Sequence, residues 1–385
     1  MIDVGLVGLG KMGISHLAAF RAHPGVNLVG VCDASRYTRD VLGRYSGLAT
    51  FPDLAALMDQ VHLDALVIAT PSRLHAPMVA TALERGLHVF CEKPFTLDPR
   101  ESGRLAGIAR DRGLVTQVGY HNRFIAAFTE VKRLLDLGAI GRVSHIHAQA
   151  YGPVVLKAAG STWRTRKVEG GGCLYDYAAH PVDLLTWYLG EPEAASGSVL
   201  GSVFSRETDD EVLSTLRFPG GVNAQLSVSW SDESQRKMTT RISLWGTRGR
   251  IVADRQEIQV HLREGAPEVP GYRTGWNVRY TTDLTPPVWY YLRGEEYSAQ
   301  VAAFVERVNA GATRGVADFD EAARTDRVLS MIQADAARRP ETTPEEPSVV
   351  RPGRRPRRFA AVRLRIGSLV AGQTVGSASR APGRA

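Results

Sequence analysis

The sequence contains no apolar run near the roughly 20 residues that a membrane-spanning helix needs, which excludes a spanning protein. It also lacks the basic, then apolar, then small-residue succession of a secretory leader. Met1-Ile2-Asp3-Val4-Gly5 runs straight into a strand-like segment. Cysteine is scarce: Cys32, Cys91 and Cys173 are odd in number and far apart, which argues against a disulfide framework and suits reduced thiols. These absences together lead to the expectation of a cytoplasmic protein. No internal repeat is visible.

What is present fits a globular chain. Its 385 residues suit two domains, and 44% hydrophobic with 23% charged residues is an ordinary globular mix. The net charge of +7 is unevenly placed. Residues 341–385 hold nine arginines against three glutamates and no lysine, which leaves +1 for the first 340 residues. The basic tail, taken as 339–385, is rich in Pro, Gly, Arg and Ser without a sustained period, so disorder is expected there. A nucleic-acid or anionic-membrane contact through it would weaken steeply with salt. No nucleic-acid partner is expected for the folded body.

Residues 1–122 alternate short apolar runs with helix-like segments. Strands are expected at 2–7, 26–32, 48–51, 64–70, 87–91 and 114–119. Helices are expected to end near 21 and to span 35–46, 53–60, 76–85 and 98–112. Unbroken Val/Ile/Leu runs alternating with helices imply a parallel sheet covered on both faces, an N-terminal Rossmann doubly wound domain of α/β class. From 123 to 338 the pattern becomes an α+β domain with a largely antiparallel open sheet. Its expected helices are 124–136, 174–189, 295–309 and 321–337. Its strands are 142–151, 197–204, 210–218, 222–230, 238–245, 249–253 and 257–262. Val222, Ala224, Leu226, Val228 and Trp230 point one way, and Pro219-Gly220-Gly221 turns this strand back on 210–218 as a hairpin. A sheet apolar on one side leaves a face that a twin subunit can cover, so a homodimer or homotetramer is expected.

Gly8-Leu9-Gly10-Lys11-Met12-Gly13 lies between an expected strand and helix. Gly8 permits the tight turn, Gly10 lets a pyrophosphate approach the backbone, and Gly13 allows close helix–strand packing. Asp33 ends the second strand, where a carboxylate can accept from adenine-ribose hydroxyls. That favours NAD; Arg36 and Arg39 follow closely and leave NADP open, or are simply a solvated helix face. Thr70, Pro71 and His75 follow the fourth strand and either line the cofactor crevice or cap and decorate the next helix. Glu92-Lys93-Pro94 ends the fifth strand, which brings Lys93 to the same crevice, where an ammonium can polarise a substrate oxygen. Gly170-Gly171-Gly172 precedes Asp176, His180 and Asp183, which share one helix face. A histidine beside a carboxylate can move a proton near neutral pH, and the glycine run offers a backbone that can lie close to a ligand. A helix-start carboxylate with a core histidine is the plainer alternative. No metal is expected.

Over about residues 1–338 these features resemble the glucose–fructose oxidoreductase/inositol dehydrogenase superfamily (Gfo/Idh/MocA). The resemblance rests on GLGKMG at 8–13, Asp33, TPxxxH at 70–75, EKP at 92–94, VGYHNRF at 118–124 and GGGCLYDYAAHPVDLL at 170–185. It implies a Rossmann domain plus an open-sheet domain with the substrate, a sugar or polyol, bound between them. It further implies that Lys93 polarises the reacting oxygen, that Asp176 and His180 form the D-x-x-x-H pair with His180 as general base, and that Glu92 lies at the nicotinamide side. Arg123 resembles a residue that reaches substrate or cofactor, although His121-Asn122-Arg123-Phe124 departs from the usual N-R-R-F. Trp163-Arg164 resembles a pair that approaches cofactor or substrate from the second domain. The implied activity is an NAD-dependent dehydrogenase acting on a secondary alcohol of a sugar or cyclitol. A nucleotide-sugar dehydrogenase is the near alternative, since Lys157, Arg164, Arg166 and Lys167 offer a basic loop for a diphosphate. A nicotinamide-binding sensor without turnover would be expected to lack Lys93 or His180, and both are here.

Overall fold

The computed structural model describes residues 1–156, 163–292 and 294–338; the arginine-rich tail and Lys157 of the basic loop lie outside them. In chain order the first part is β1 (Ile2–Val7), α1 (Lys11–Ala22), β2 (Val26–Cys32), α2 (Arg36–Ser46), β3 (Thr50–Phe51) and α3 (Leu54–Gln60). It continues with β4 (Ala65–Ile68), α4 (His75–Glu84), β5 (His88–Cys91), α5 (Pro99–Asp111) and β6 (Thr116–Val118). The strands form one parallel sheet in the order β3-β2-β1-β4-β5-β6. The order reverses between β1 and β4, and the crevice outside the carboxyl ends of those strands is where such sheets bind ligands. Val67, Ile68, Val89, Phe90 and Cys91 are fully buried because helices cover both faces.

The second part runs through α6 (Ala126–Asp136), β7 (Val143–Tyr151), α7 (Ala179–Leu189), β8 (Ala194–Gly201), β9 (Glu211–Arg217) and β10 (Asn223–Ser229). It then passes through β11 (Arg241–Gly246), β12 (Gly249–Ala253), β13 (Glu257–Leu262), β14 (Gly275–Tyr280), α8 (Thr281–Leu284), α9 (Glu295–Ala310) and α10 (Phe319–Ala337). Its eight-stranded sheet has the order β14-β13-β12-β11-β7-β10-β9-β8. The β9–β10 hairpin turns at Gly220 and Gly221, both at positive φ as the tight reversal requires. The sheet is antiparallel except where β10 runs parallel to β7, a pairing joined by the long path through α7, β8 and β9.

The short helix α8 has no counterpart in the sequence expectation and several element ends lie one to three residues from it, and three further differences stand out. The strand expected at 197–204 starts earlier, at Ala194, because Glu193 donates its N–H to Arg217 and extends the β9 pairing. The helix expected from 174 opens as a π-helical turn, Leu174–Ala178, before α7. β14 has no counterpart in the expectation. Its large apolar residues Trp276, Val278 and Tyr280 alternate with Asn277 and Arg279 but point outward, 52%, 50% and 55% exposed.

The closing helices bind the two sheets together. Phe304 of α9 packs edge-on against Phe20 of α1 and Phe90 of β5, at centroid separations of 6.2 and 5.8 Å. Each such aromatic pair contributes about 1 kcal/mol beyond the area it buries. Ala317 accepts the N–H of Val118 at 2.8 Å and so covers the edge of β6, while Phe319 stacks on Phe95 at 4.0 Å. Among the described residues no helix is long and apolar enough to cross a membrane.

Candidate active site

The turn from β1 to α1 is as tight as its glycines allow. Gly8 sits at φ +93°, and a Cβ there would lie 2.6 Å from the carbonyl oxygen of Ala69 at the end of β4. A Cβ on Gly13 would overlap the carbonyl oxygen of Gly8, whereas one on Gly10 would meet nothing within 4 Å. Gly8 and Gly13 are therefore held by packing, and Gly10 leaves open the space a pyrophosphate needs. Lys11 and Met12 open α1, whose N-cap Gly10 offers no side-chain bond and whose first turn has no acid. Its free N–H groups and positive dipole end suit an anion. The geometry fits a dinucleotide.

Asp33 braces this turn. Its Oδ2 accepts the N–H of Leu9 at 2.6 Å and its Oδ1 that of Ser35 at 2.8 Å. A carboxylate has about four acceptor sites, so ribose hydroxyls can still bind. Arg39 donates to the carbonyl oxygen of Asp33 at 2.6 Å, and Arg36 is 87% exposed and faces Asp40 at 3.6 Å. Arg39 is thus a backbone brace and Arg36 a solvated side chain, the plainer of the two sequence readings. Thr70 and Pro71 lie just beyond β4, with the Thr70 hydroxyl on the Met78 sulfur at 3.7 Å. His75 is buried between the carbonyl oxygens of Pro94 (2.8 Å) and Thr70 (3.0 Å), so it ties the two strand-end loops together instead of lining the opening.

Lys93 and the D-x-x-x-H segment meet. Lys93 Nζ donates to Asp176 Oδ1 at 2.9 Å and to the Asp176 carbonyl oxygen at 2.7 Å, across 83 residues of sequence. The other carboxylate oxygen, Oδ2, accepts from Arg164 Nε at 2.8 Å, and the Arg164 guanidinium lies 4.8 Å over the Trp163 ring. Burial opposes the charge on Asp176, but Lys93 and Arg164 outweigh it and hold its carboxyl below the usual range. Among the described residues, two of the three ammonium N–H donors of Lys93 are used in this way, which leaves a third for a ligand. Glu92 is buried against His16 of α1 at 2.5 Å. Burial pushes the Glu92 carboxyl up, yet His16, Lys93 and His121 together bring it below the usual range.

His180 stands one turn beyond Asp176. It is buried, and its Nδ1 has no hydrogen-bond partner among the described residues. Burial, then the charges of Lys93 and Arg255, hold its pKa well below the ordinary histidine value, so the imidazole is neutral and able to take a proton. Its ring packs edge-on against His121, 4.8 Å between centroids.

Two expectations are corrected. Arg123 does not turn toward the crevice. Its Nε and Nη2 grip Asp183 at 2.8 and 2.7 Å, its Nη1 reaches Glu321, and it is almost fully buried. That bidentate pair locks α7 to the segment after β6, so Asp183 is likewise occupied by structure. The glycine run also serves the chain itself. A Cβ on Gly171 would overlap the Arg164 carbonyl oxygen, and one on Gly172 the Asp209 carboxylate, which accepts the N–H of Leu174 at 2.6 Å.

Several residues in and around the site carry no local sequence signal. Asp209 holds the start of the π turn, and His16 holds Glu92. Arg255 sits in the polar β12–β13 turn and reads as an ordinary hairpin loop. Asp326 on α10 reaches the loop after Pro94 and the first turn of α5, where its Oδ2 accepts from Thr96 N–H at 2.9 Å and from the Ser102 hydroxyl at 2.6 Å. Burial pushes its carboxyl up to about 7 from the ordinary 3.8. Between those values the folded chain keeps a proton that the unfolded chain releases, so the native state loses stability as pH rises through that window. Asp326→Asn removes this slope, and its melting temperature relative to the parent is expected to rise from pH 4 to pH 8. A difference independent of pH would refute the assignment. Of metal-ligating groups, Asp3, His62 and Asp64 alone cluster among the described residues, and they sit at the opposite end of β1 and β4.

Comparison with known proteins shows the family. Residues 2–120 match the oxidoreductase family, NAD-binding Rossmann fold, and residues 128–252 match the GFO/IDH/MocA C-terminal domain. The dTDP-3,4-didehydro-2,6-dideoxy-alpha-D-glucose 3-reductase of Streptomyces violaceoruber is 32% identical over 256 residues, 66% of this chain and 73% of its own. Inositol 2-dehydrogenase 4 of Saccharopolyspora erythraea is 37% identical over 197 residues, 49% of this chain and 54% of its own. A levoglucosan dehydrogenase solved with NADH and L-sorbose shares the fold, with a TM-score of 0.78 at 23% identity over 88% of this chain and 97% of that one. The chain therefore belongs to the GFO/IDH/MocA family of oxidoreductases, whose N-terminal domain is an NAD-binding Rossmann fold.

Proposed function

We propose that this protein is an NAD-dependent dehydrogenase that oxidises a secondary alcohol of a sugar or inositol-like cyclitol, or runs the reverse reduction. One observation carries the reading: an ammonium pinned to Asp176, one turn before a buried neutral histidine, in a chain whose glycine turn is open at Gly10. The turn at Gly8, Gly10, Lys11, Met12 and Gly13, with Asp33, Thr70, Pro71 and Glu92, would hold the cofactor. When bound, NAD supplies the hydride acceptor. His180 takes the carbinol proton. Lys93 keeps its free N–H for the same oxygen and stabilises the negative charge that develops there. Asp176 fixes the ammonium, and Arg164 closes the carboxylate from the side of the second sheet.

Relatives named as an inositol 2-dehydrogenase and as a reductase of a dTDP-linked deoxyglucose support a polyhydroxylated ring as the substrate class. The second of these names, with exposed Arg166 and Lys167, favours the nucleotide-sugar reading as the alternative; against it, Arg164 is engaged by Asp176 and not free for a diphosphate. The deciding experiment is a panel of sugars, inositols and nucleotide sugars, each with NAD and with NADP, followed by absorbance of the reduced nicotinamide. Turnover of a free sugar or cyclitol with NAD is expected. Turnover of nucleotide sugars alone would favour the alternative, and binding of NAD without turnover of any substrate would favour a sensor.

A second copy of the chain covers the outer face of the eight-stranded sheet. Trp245, flanked by His145 at 4.5 Å and by Arg250 at 4.6 Å, lies in one row with His261 and the outward Trp276. Exposed aromatic rows of this kind mark interaction surfaces. Light scattering should return two or four times 41.9 kDa, and a monomer mass that Trp276→Lys leaves unchanged would disprove the assembly.

A further inference from the structure

His180 meets more than the lysine beside it. His121, from the turn after β6, packs against it edge-on and stacks on Tyr297 of α9, with centroids 5.1 Å apart and planes 17° apart. Tyr120 lies edge-on to His180 at 6.5 Å. Arg255, from the turn between β12 and β13, donates from Nη1 to His121 Nε2 at 3.3 Å, and its Nη2 donates to Glu296 of α9. The carbonyl oxygen of Arg255 accepts from the Thr281 hydroxyl at 2.9 Å, which fixes the turn. An arginine donates only, so the His121 nitrogen facing it accepts, and His121 is neutral with its proton on Nδ1. The chain Glu296–Arg255–His121–His180 thus joins an exposed hairpin turn to the histidine of the site.

We propose that Arg255, clamped by Glu296 and bonded to His121, is a positioning residue whose guanidinium charge keeps His180 free of a proton until substrate supplies one. The inference rests on the reading of His180 as the base. The charged and titratable groups around His180 are few. Lys93 comes from the loop after β5 and Asp176 from its own helix. Tyr120 and His121 come from the stretch after β6, Arg255 from the β12–β13 turn, Glu296 from α9 beyond the arginine, and Glu92 acts through His121. Lys93 and Arg164 share one carboxylate, Asp176. Arg255 has its own counterion in Glu296, whose charge opposes that of the guanidinium. Burial and the charge of Arg255 both act to lower the His121 and His180 values.

The test reads His180 directly and needs no substrate. Protein labelled with 13C at histidine Cε1 and saturated with NAD is titrated by NMR, with the ten histidines assigned through His180→Gln and His121→Gln. Removing the positive charge in Arg255→Gln is expected to raise the His180 midpoint by on the order of one pH unit, as one unit charge roughly 8 Å away across the His121 ring implies at an effective dielectric near 20. Glu296→Gln unmasks that charge and is expected to lower the midpoint. Arg255→Lys keeps the charge and should restore the parent value. A purely structural arginine would move none of these in opposite directions, so equal His180 behaviour in the parent, Arg255→Gln and Glu296→Gln overturns the proposal. If Arg255→Gln does not fold, as judged by loss of NAD binding, Glu296→Gln against Arg255→Lys decides alone. Failure of His180 as the base is a separate outcome, read as full turnover in His180→Ala.

Discussion

Replacing His180 with alanine is expected to lower kcat by about 10²–10⁴-fold, the usual contribution of a positioned base, while the Kd for NAD changes no more than a few-fold. Lys93→Ala should lose a similar amount, because it removes the donor aimed at the developing oxyanion. Neither side chain belongs to the glycine turn that would hold the dinucleotide, so cofactor titration monitored by fluorescence separates chemistry from binding. In the proposed mechanism the two residues act on one oxygen. The double variant is therefore expected to lose little more than the worse single variant, since groups that act as a unit are not additive. His180 titrates below the ordinary histidine range because of burial and then Lys93 and Arg255. The parent rate should accordingly hold across neutral pH and fall only on the acid side, as His180 takes up a proton before substrate can offer one. Full activity in both single variants would sink the assignment. Lys93→Ala also leaves the buried Asp176 with Arg164 as its remaining side-chain partner among the described residues, so a melting curve should accompany the kinetics.

The glycine turn predicts two different failures three residues apart. Gly13→Ala places a methyl on the carbonyl oxygen of Gly8, and relief requires α1 to move away from β1. An overpacking cost of about 3 kcal/mol, with loss of NAD binding, is expected. Gly10→Ala meets nothing within 4 Å, so the melting temperature without cofactor should match the parent. NAD affinity should nonetheless fall on the order of tenfold or more, about 1.4 kcal/mol per tenfold step, because the methyl enters the space a pyrophosphate needs. Calorimetry and NAD titration of both variants give the answer. Unchanged NAD affinity in Gly10→Ala would mean that the dinucleotide does not pass over this turn.

Much of this was legible in the residues, for reasons that differ between the two halves. In the first sheet the central strands β1, β4 and β5 are largely buried on both faces and appear as apolar blocks, and the ends of β1 and β2 agree with the sequence expectation to the residue. The same holds for β12 and β13, and along β13 inward and outward residues alternate. β14 was missed although Trp276, Val278 and Tyr280 alternate with Asn277 and Arg279, because the expectation looked for an apolar side facing the core and here the apolar side faces outward. The π turn at Leu174–Ala178 was invisible for another reason. Asp209, thirty-five residues further along, holds the N–H of Leu174, and no local pattern records it. Arg123 shows the converse: a motif position suggested a ligand contact, and a partner sixty residues away claimed the side chain first.

The sequence by itself determined the strand and helix rhythm, the glycine turn, and the identity of an amine, a carboxylate and an imidazole able to do the chemistry. It could do so because backbone period and turn chemistry are local properties of the chain. Only the tertiary structure decided which charges face one another. It gave Asp176 to Lys93 and Arg164, turned Arg123 onto Asp183, and brought Arg255 and His121 up to His180. The reason is that an ionisable group's state depends on burial and on charges within a few ångströms, and those neighbours come from stretches of chain that folding, not sequence order, makes adjacent.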